Sequence, residues 1–349
     1  MTIIIFILIL SILILVHELG HFLMAKKQGI KVEEFGFGLP PRLFGLKIGE
    51  TIYSLNLIPL GGFTKLYGEE YYEIKTHQQS DRAFINKKPW QKALVVIGGV
   101  LGNFLLGWFL LSFLVTQGVP VPTNKVIIDK VVKNSPADLA GIKEKDVVLK
   151  FNSLSLTSPT SLISLTQKYV GQPITLIIQR DDQIFPMTII PRKNPPTGEG
   201  PLGIAITSYL EKKYPWYQTP FFGLYEAVRI TYQIASELLR IIFQLITFQH
   251  PQVDVSGPLG IASYTSSAIK FGKNAVLELL ALLSFNLAII NILPFPALDG
   301  GRMIFVLYEA VAKKRPNKNI EKYTNFIGMI ILLSLGILIT IHDIIKIIR

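Results

Sequence analysis

Long apolar runs separated by polar stretches rich in Lys and Arg dominate the hydrophobic pattern of this chain. About 20 consecutive apolar residues form a helix that crosses a bilayer. The pattern predicts four such helices, at residues 3–24, 90–116, 276–293 and 326–345. No basic segment precedes the first run and no small-residue cleavage site follows it, so we expect a retained membrane helix rather than a signal peptide.

Residues 221–248 form a fifth apolar segment with a different pattern. Polar side chains recur in it every three or four residues, at Glu226, Arg229, Gln233, Glu237, Arg240 and Gln244. A polar stripe of this period is typical of a helix that lies along a membrane interface. We therefore predict that this segment does not span, which leaves four spanning helices.

Between the first two spans, the segment from Glu34 to Pro41 contains Gly and Pro residues that break helices. The next stretch, Thr51 to Gly68, predicts two β-runs around Pro59, Gly61 and Gly62. An apolar hairpin here either dips toward a site in the membrane, offering a strand edge to an extended peptide, or merely stabilises the surface. The first alternative makes Gly61, Gly62 and Phe63 candidate substrate-binding residues.

Residues 119–201 change to short alternating segments, which predict strands at 126–132, 147–151, 174–179 and 184–190 and a helix at 159–169. The stretch from Asn134 to Asn152 resembles the body of a PDZ domain, although Lys145 stands where such domains usually have Gly. The GPLGI segment resembles the PDZ loop that receives a peptide carboxylate on backbone N–H groups. Its candidate binding residues are Gly200, Leu202, Gly203 and Ile204.

Composition agrees with a membrane protein, since 50% of residues are hydrophobic, 17% are charged and the mean hydropathy is +0.42. The net charge of +11 comes from Lys and Arg beside the apolar runs, as cytoplasmic loops require, and there is no aromatic-interleaved basic patch for nucleic acid. Lys26, Lys27 and Lys31 predict that the first span ends in the cytoplasm. The absence of Cys excludes thiol nucleophiles, thiolate ligands and disulfides.

The first span ends in HELGH, which carries the chemistry. His17 and His21 are four residues apart, so they share a helix face and can hold one zinc ion. Glu18 lies beside them, where it can take a proton from a metal-bound water. The alternative is a chance match, but polar residues in an apolar helix are costly in lipid without a function.

A hydrolytic zinc site takes three protein ligands. The remaining histidines, His77, His250 and His342, are poorly placed for this on the predicted topology. Asp299 is a better candidate, because it lies at the inner end of the third span beside two glycines; alternatively, it caps a turn. If residues 221–248 lie flat, Asp299 returns to the same membrane level as HELGH.

Together these motifs resemble the site-2 protease family of bacterial intramembrane zinc metalloproteases. The resemblance covers HELGH, the hairpin around IPLGGFTKL, a PDZ module, SGPLGIA from Ser256 and NILPFPALDGG in the third span. It implies zinc ligands His17, His21 and Asp299, catalytic Glu18, and substrate-holding Asn286, Asn291 and Pro294. Two features depart from the family: Val100 replaces a usual Pro in GGVLGNF, and there is one PDZ module where some relatives have two.

The resulting fold is a polytopic α-helical membrane protein with a membrane-associated β-hairpin and an extracytoplasmic PDZ-like α+β domain. Its expected parts are residues 1–118, the PDZ-like domain 119–205, the interface helix with its connector 206–270, and the last two spans 271–349.

The function expected of this fold is cleavage, in the plasma membrane, of the transmembrane segment of a single-pass protein already trimmed by another protease, such as an anti-sigma factor or a signal-peptide remnant. The active site is expected toward the cytoplasmic side. The alternatives are a PDZ scaffold with a vestigial metal site and an aspartyl protease, which needs a second facing Asp, whereas Asp343 lies at the opposite membrane face.

Overall fold

The computed structural model describes residues 1–69, 81–247, 249 and 257–348. His77, His250 and Ser256, named above, lie outside these residues. The chain forms two compact units, of which one comprises Met1–Val115 and Pro215–Arg349 and the other Thr116–Tyr214.

The helices in chain order are α1 Thr2–Lys27, α2 Pro89–Gln117, α3 Pro136–Leu139, α4 Pro159–Lys168, α5 Thr219–Ile246, α6 Pro258–Phe271, α7 Lys273–Ile292, α8 Asp299–Ala312 and α9 Lys318–Ile348. The strands are β1 Val32–Ile48, β2 Thr51–Leu66, β3 Val119–Val131, β4 Val147–Phe151, β5 Leu154–Ser155, β6 Ile174–Arg180, β7 Gln183–Ile189 and β8 Ile204–Lys212. A short 3-10 helix, Phe84–Asn86, precedes α2.

Four helices among the described residues, α1, α2, α7 and α9, are long and apolar enough to cross a membrane. This confirms the prediction of four such helices, whose polar backbone groups are satisfied within each helix. The 28-residue α5 is not among them, and its polar residues stand at helical spacing.

Small residues bring α1 and α2 into close contact. A Cβ on Gly98 would lie 2.6 Å from the carbonyl oxygen of Gly20, and one on Gly102 would lie 2.7 Å from that of Val16. Backbones this close tolerate only glycine, which is the physical basis of small-xxx-small helix pairs in membranes. The four-residue spacing of Gly98 and Gly102 therefore serves the contact with the helix that carries HELGH.

Replacing Gly102 by Ala is expected to destabilise the protein by about 1–3 kcal/mol, because the new methyl group must push against backbone rather than a movable side chain. The control is Gly336→Ala in α9, where no atom lies within 4 Å of the new Cβ. Thermal unfolding of both variants in detergent provides the comparison. Equal melting temperatures for the two would contradict the proposed packing.

Two separate parts of β2 pair with β1, and one part of β2 lies between two parts of β1. Phe35 pairs with both Thr64 and Tyr53, and Tyr53 pairs in turn with Leu46. Four extended segments therefore lie side by side, and residues 62–66 pair with residues 32–37 of β1. The two β-runs predicted around residues 59–62 thus do not pair with each other, since β1 lies between them.

The second unit is an antiparallel sheet with the strand order β7-β6-β4-β3-β8 and β5 paired to β4. Its core contains fully buried apolar side chains, including Val126, Ile128, Phe151, Leu162, Ile174, Leu176 and Ile178. The edge strand β8 follows the GPLGI loop directly. Residues 119–122 of β3 also pair with residues 209–212 of β8, beyond the predicted strands.

Asp343 of α9 is buried and has a structural partner. Its Oδ2 accepts hydrogen bonds from the backbone N–H groups of Gly257 (3.0 Å) and Gly260 (2.9 Å). These groups lie at the N-terminus of α6, where a carboxylate satisfies free donors and the helix dipole. Asp343 therefore holds α6 against α9.

Candidate metal centre

Three potential metal ligands converge in the helical unit: His17 and His21 from α1, and Asp299 at the first residue of α8. The two Nε2 atoms are 3.2 Å apart. The Oδ2 atom of Asp299 lies 3.1 Å from Nε2 of His17 and 3.3 Å from Nε2 of His21. The three atoms thus form a nearly equilateral triangle.

This triangle has the dimensions of a zinc site. Tetrahedral zinc with bonds of about 2.0–2.1 Å places neighbouring ligand atoms about 3.3 Å from one another. In addition, Oδ2 of Asp299 is buried without a hydrogen-bond partner. A buried carboxylate oxygen facing two imidazole nitrogens is costly without a cation, so the donor set fits Zn²⁺.

Helix α2 sets the protonation of His21. Nδ1 of His21 lies 2.8 Å from the carbonyl oxygen of Val95. A carbonyl only accepts, so the proton sits on Nδ1 and the lone pair on Nε2 faces the triangle. Gly99 of α2 leaves room for both rings, since a Cβ there would lie 2.7 Å from Cε1 of His17. Neither Val95 nor Gly99 was predicted from the sequence, because backbone contacts leave no residue-type signal.

Glu18 lies beside the strand segment of residues 62–66. The hydroxyl of Thr64 donates to the backbone carbonyl of Glu18 over 3.0 Å. A Cβ on Gly62 would lie 3.3 Å from Cγ of Glu18. The strand and the carboxylate are therefore in close contact, while Gly61 and Phe63 are half-buried beside them.

The other proposed substrate residues, Asn291, Asn286 and Pro294, have different environments. Asn291 lies at the centre, with Nδ2 at 3.3 Å from Nε2 of His17. Asn286 instead donates to Leu282 O one helical turn away (3.0 Å), and Pro294 is exposed in the turn before Asp299.

In the second unit, the GPLGI loop has mixed accessibility. Gly200 is exposed and Ile204 half-buried, whereas Leu202 is in the core and Gly203 has a φ of +73°. Arg192 lies against this loop and pairs with Glu199 at 2.6 Å. Backbone groups of the loop already have partners within the unit, since the Gly203 N–H donates to the carbonyl of Gly200 and the carbonyl of Leu202 accepts from the Ala137 N–H.

Ion pairs fix the helix that carries Asp299. Arg302, one turn further along α8, pairs with Glu69 at the end of the β-structure. Glu309 pairs with Lys92 of α2 at 2.7 Å, and Lys92 is only 4% exposed. Removing one partner of so buried a pair leaves an uncompensated charge, so these contacts hold α8 firmly.

Comparisons with known proteins agree with the zinc site that the geometry indicates. The profile of peptidase family M50 matches residues 5–335. A Clostridium perfringens protein described as a zinc metalloprotease is 36% identical over 348 residues, covering 99% of both chains. The regulator of sigma-W protease RasP of Bacillus subtilis is 27% identical over 420 aligned residues, covering 98% of both.

A solved structure, the PDZ domain of the SdrC-like protein of Listeria monocytogenes, is 19% identical and covers 26% of this chain and 94% of its own. Its TM-score of 0.22 is too low to support an argument about fold. The family profile, in contrast, includes HELGH, α2 and Asp299 in one continuous match. The chain therefore belongs to peptidase family M50, the site-2 proteases, and is a zinc metalloprotease.

Proposed function

We propose that this protein is an intramembrane endopeptidase that cuts the transmembrane segments of other membrane proteins. One observation supports the proposal most directly: two of the three ligands, His17 and His21, lie on α1, an apolar helix able to span a bilayer, and His17 is about 22 Å from the start of that helix. A peptide bond that reaches this site must itself enter the membrane. Site-2 proteases act on membrane proteins, which agrees with this placement.

The proposed roles follow from chemistry and position. His17, His21 and Asp299 hold Zn²⁺, which when bound polarises a carbonyl and lowers the pKa of water. Glu18 accepts the proton of the attacking water and later gives it to the leaving amine. The amide of Asn291, beside His17, donates to the carbonyl oxygen as negative charge develops on it.

The substrate is held as a strand in this proposal. A transmembrane helix hides its amides in its own hydrogen bonds, so it must unwind before hydrolysis. Gly62 and Thr64 of β2 lie beside Glu18, and an extended peptide laid along the strand gains backbone hydrogen bonds there. Gly61, Gly62 and Phe63 are the proposed contacts, with Asn286 and Pro294 acting from the α7 side.

The test is reconstitution of the purified protein with a single-pass substrate in liposomes, followed by mass spectrometry of the products. We expect a cut inside the apolar segment that stops when a chelator removes zinc. A PDZ scaffold without activity would bind the substrate and leave it whole. A pre-trimmed anti-sigma factor or a signal-peptide remnant is the proposed natural substrate class.

The proposed topology places the Lys/Arg-rich residues 313–322 in the cytoplasm and the second unit outside. Cysteine introduced at Lys314 should react with a membrane-impermeant reagent only from the cytoplasmic side, and cysteine at Asp182 only from outside. Because the protein lacks natural Cys, each label reports one position. Labelling of both positions from one side would mean that α5 also spans.

We further propose that the PDZ-like unit excludes substrates with bulky ectodomains. Residues 119–122 pair with 209–212, so a short linker replacing residues 123–208 keeps this ribbon intact. The replaced protein should cut trimmed substrate at the normal rate and begin to cut untrimmed substrate. Slower cleavage of trimmed substrate, with the long one still rejected, would instead support capture of a new C-terminus by the 200–204 loop.

A further inference from the structure

Asn103 of α2 lies beside the metal centre with an unusual environment. The residue is fully buried. Its Nδ2 is 3.4 Å from Nδ1 of His17, while its Oδ1 is buried without any hydrogen-bond partner. Buried amide oxygens are rarely left unpaired, because losing water without a replacement donor costs free energy.

The hydrogen bond between Asn103 and His17 determines which ring nitrogen of His17 carries the proton. If the NH₂ group of Asn103 donates to Nδ1, the neutral ring of His17 carries its proton on Nε2, which faces Asp299 and His21. That tautomer cannot give a lone pair to a metal. Turning the amide by 180° exchanges O and N, two atoms whose positions are assigned from hydrogen bonds. Nδ1–H then donates to Oδ1, and the Nε2 lone pair becomes free.

Asn291 does not provide the same acceptor. Its Nδ2 lies 3.4 Å from Nδ1 and 3.3 Å from Nε2 of His17. The lone pair on one ring nitrogen and the N–H bond on the other point away from each other. An atom almost equidistant from both nitrogens is therefore in line with neither of them.

We propose that Asn103 is a positioning residue that holds His17, through an Nδ1–H to Oδ1 hydrogen bond, in the tautomer that binds zinc. The proposal rests on the zinc site proposed above. Helix α2 then provides a hydrogen-bond partner for both imidazoles, Val95 for His21 and Asn103 for His17. These two residues are eight positions apart on α2, with Gly99 midway between them. The Ser284 hydroxyl of α7 donates to the backbone carbonyl of Asn103 over 2.8 Å, a contact that does not involve the side-chain amide.

Zinc affinity of the full-length protein, measured by competition with a chelator, tests the role without reference to activity. N103L removes the acceptor and should weaken zinc binding by about 10–100-fold. N103D keeps an acceptor oxygen and should bind zinc at least as tightly as the unchanged protein. The control S284A removes the backbone contact alone and should lose less affinity than the roughly 10–100-fold expected when the partner of a metal-bound imidazole is removed. Unchanged affinity in N103L, or equal losses in N103L and S284A, would overturn the proposal.

A second measurement needs no variant. Nitrogen-15 NMR of histidine-labelled, zinc-loaded protein distinguishes a protonated Nδ1 from a protonated Nε2. We expect His17 to carry its proton on Nδ1, and a zinc-bound Nδ1 with the proton on Nε2 would refute the proposal even if N103L failed to fold. Both measurements stand if the protein cuts no transmembrane substrate, so failure of the proposed function would be recognised separately.

Discussion

Replacing Glu18 by Gln is expected to slow cleavage of a transmembrane substrate by about 10²–10⁴-fold, the usual cost of losing a general base. Gln keeps the size of Glu but cannot accept a proton. Glu18 is not part of the ligand triangle, so the zinc content should stay unchanged. Rate measurements in liposomes and metal analysis of the same preparation test both halves of this prediction.

A matched control is available on the surface. The Glu237 side chain of α5 is 45% exposed and pairs with Arg240, three residues along the same helix. Glu237→Gln removes the same charge far along the chain from the metal centre and should leave the rate within about twofold, as expected of a surface pair. Full activity of the Glu18→Gln protein would show that another group moves the proton.

Replacing Asp299 by Asn should have a different result, because it removes a metal ligand. We expect zinc affinity to fall by more than about 100-fold, beyond the 10–100-fold that loss of an outer hydrogen-bond partner costs. A neutral amide oxygen is a poor substitute for a carboxylate facing Zn²⁺. Activity should disappear with the zinc, and added zinc should restore it only in part.

Asp343→Asn provides the control and separates two mechanisms. Asp343 is buried but caps α6, so its amide keeps one acceptor for the Gly257 and Gly260 N–H groups. This variant should retain zinc and most of the activity. An aspartyl protease would require both carboxylates, and loss of activity in both variants with zinc retained would favour that alternative.

Parts of this structure follow from local sequence rules. The four long apolar runs predict the four candidate spans, because a run of about twenty apolar residues is typical of a membrane-spanning helix. The i,i+4 spacing of HELGH fixes the relative positions of His17 and His21 on any helix. Asp299 needed an argument about topology, since nothing local separates a ligand from a turn cap.

Other parts depend on contacts that the sequence does not display. The Gly and Pro residues from Glu34 to Pro41 were expected to prevent a helix, and none forms there, but they do not predict that the strand β1 runs through this segment. A Cβ on Gly36 would lie 2.9 Å from Oγ of Ser54, so this glycine permits two neighbouring strands to approach. The carbonyl of Val95 could not be foreseen either, because every residue has one.

The order of the ligands along the chain affects the newly synthesised protein. His17, Glu18 and His21 emerge from the ribosome first, and Asp299 follows 278 residues after His21 (299 − 21). At about 5–20 residues per second, translation leaves an interval of roughly 14–56 s before the last ligand is made. During that interval the nascent chain has its base and two imidazoles but lacks a complete zinc site. A half-made or prematurely terminated chain therefore stays inert among the membrane helices around it.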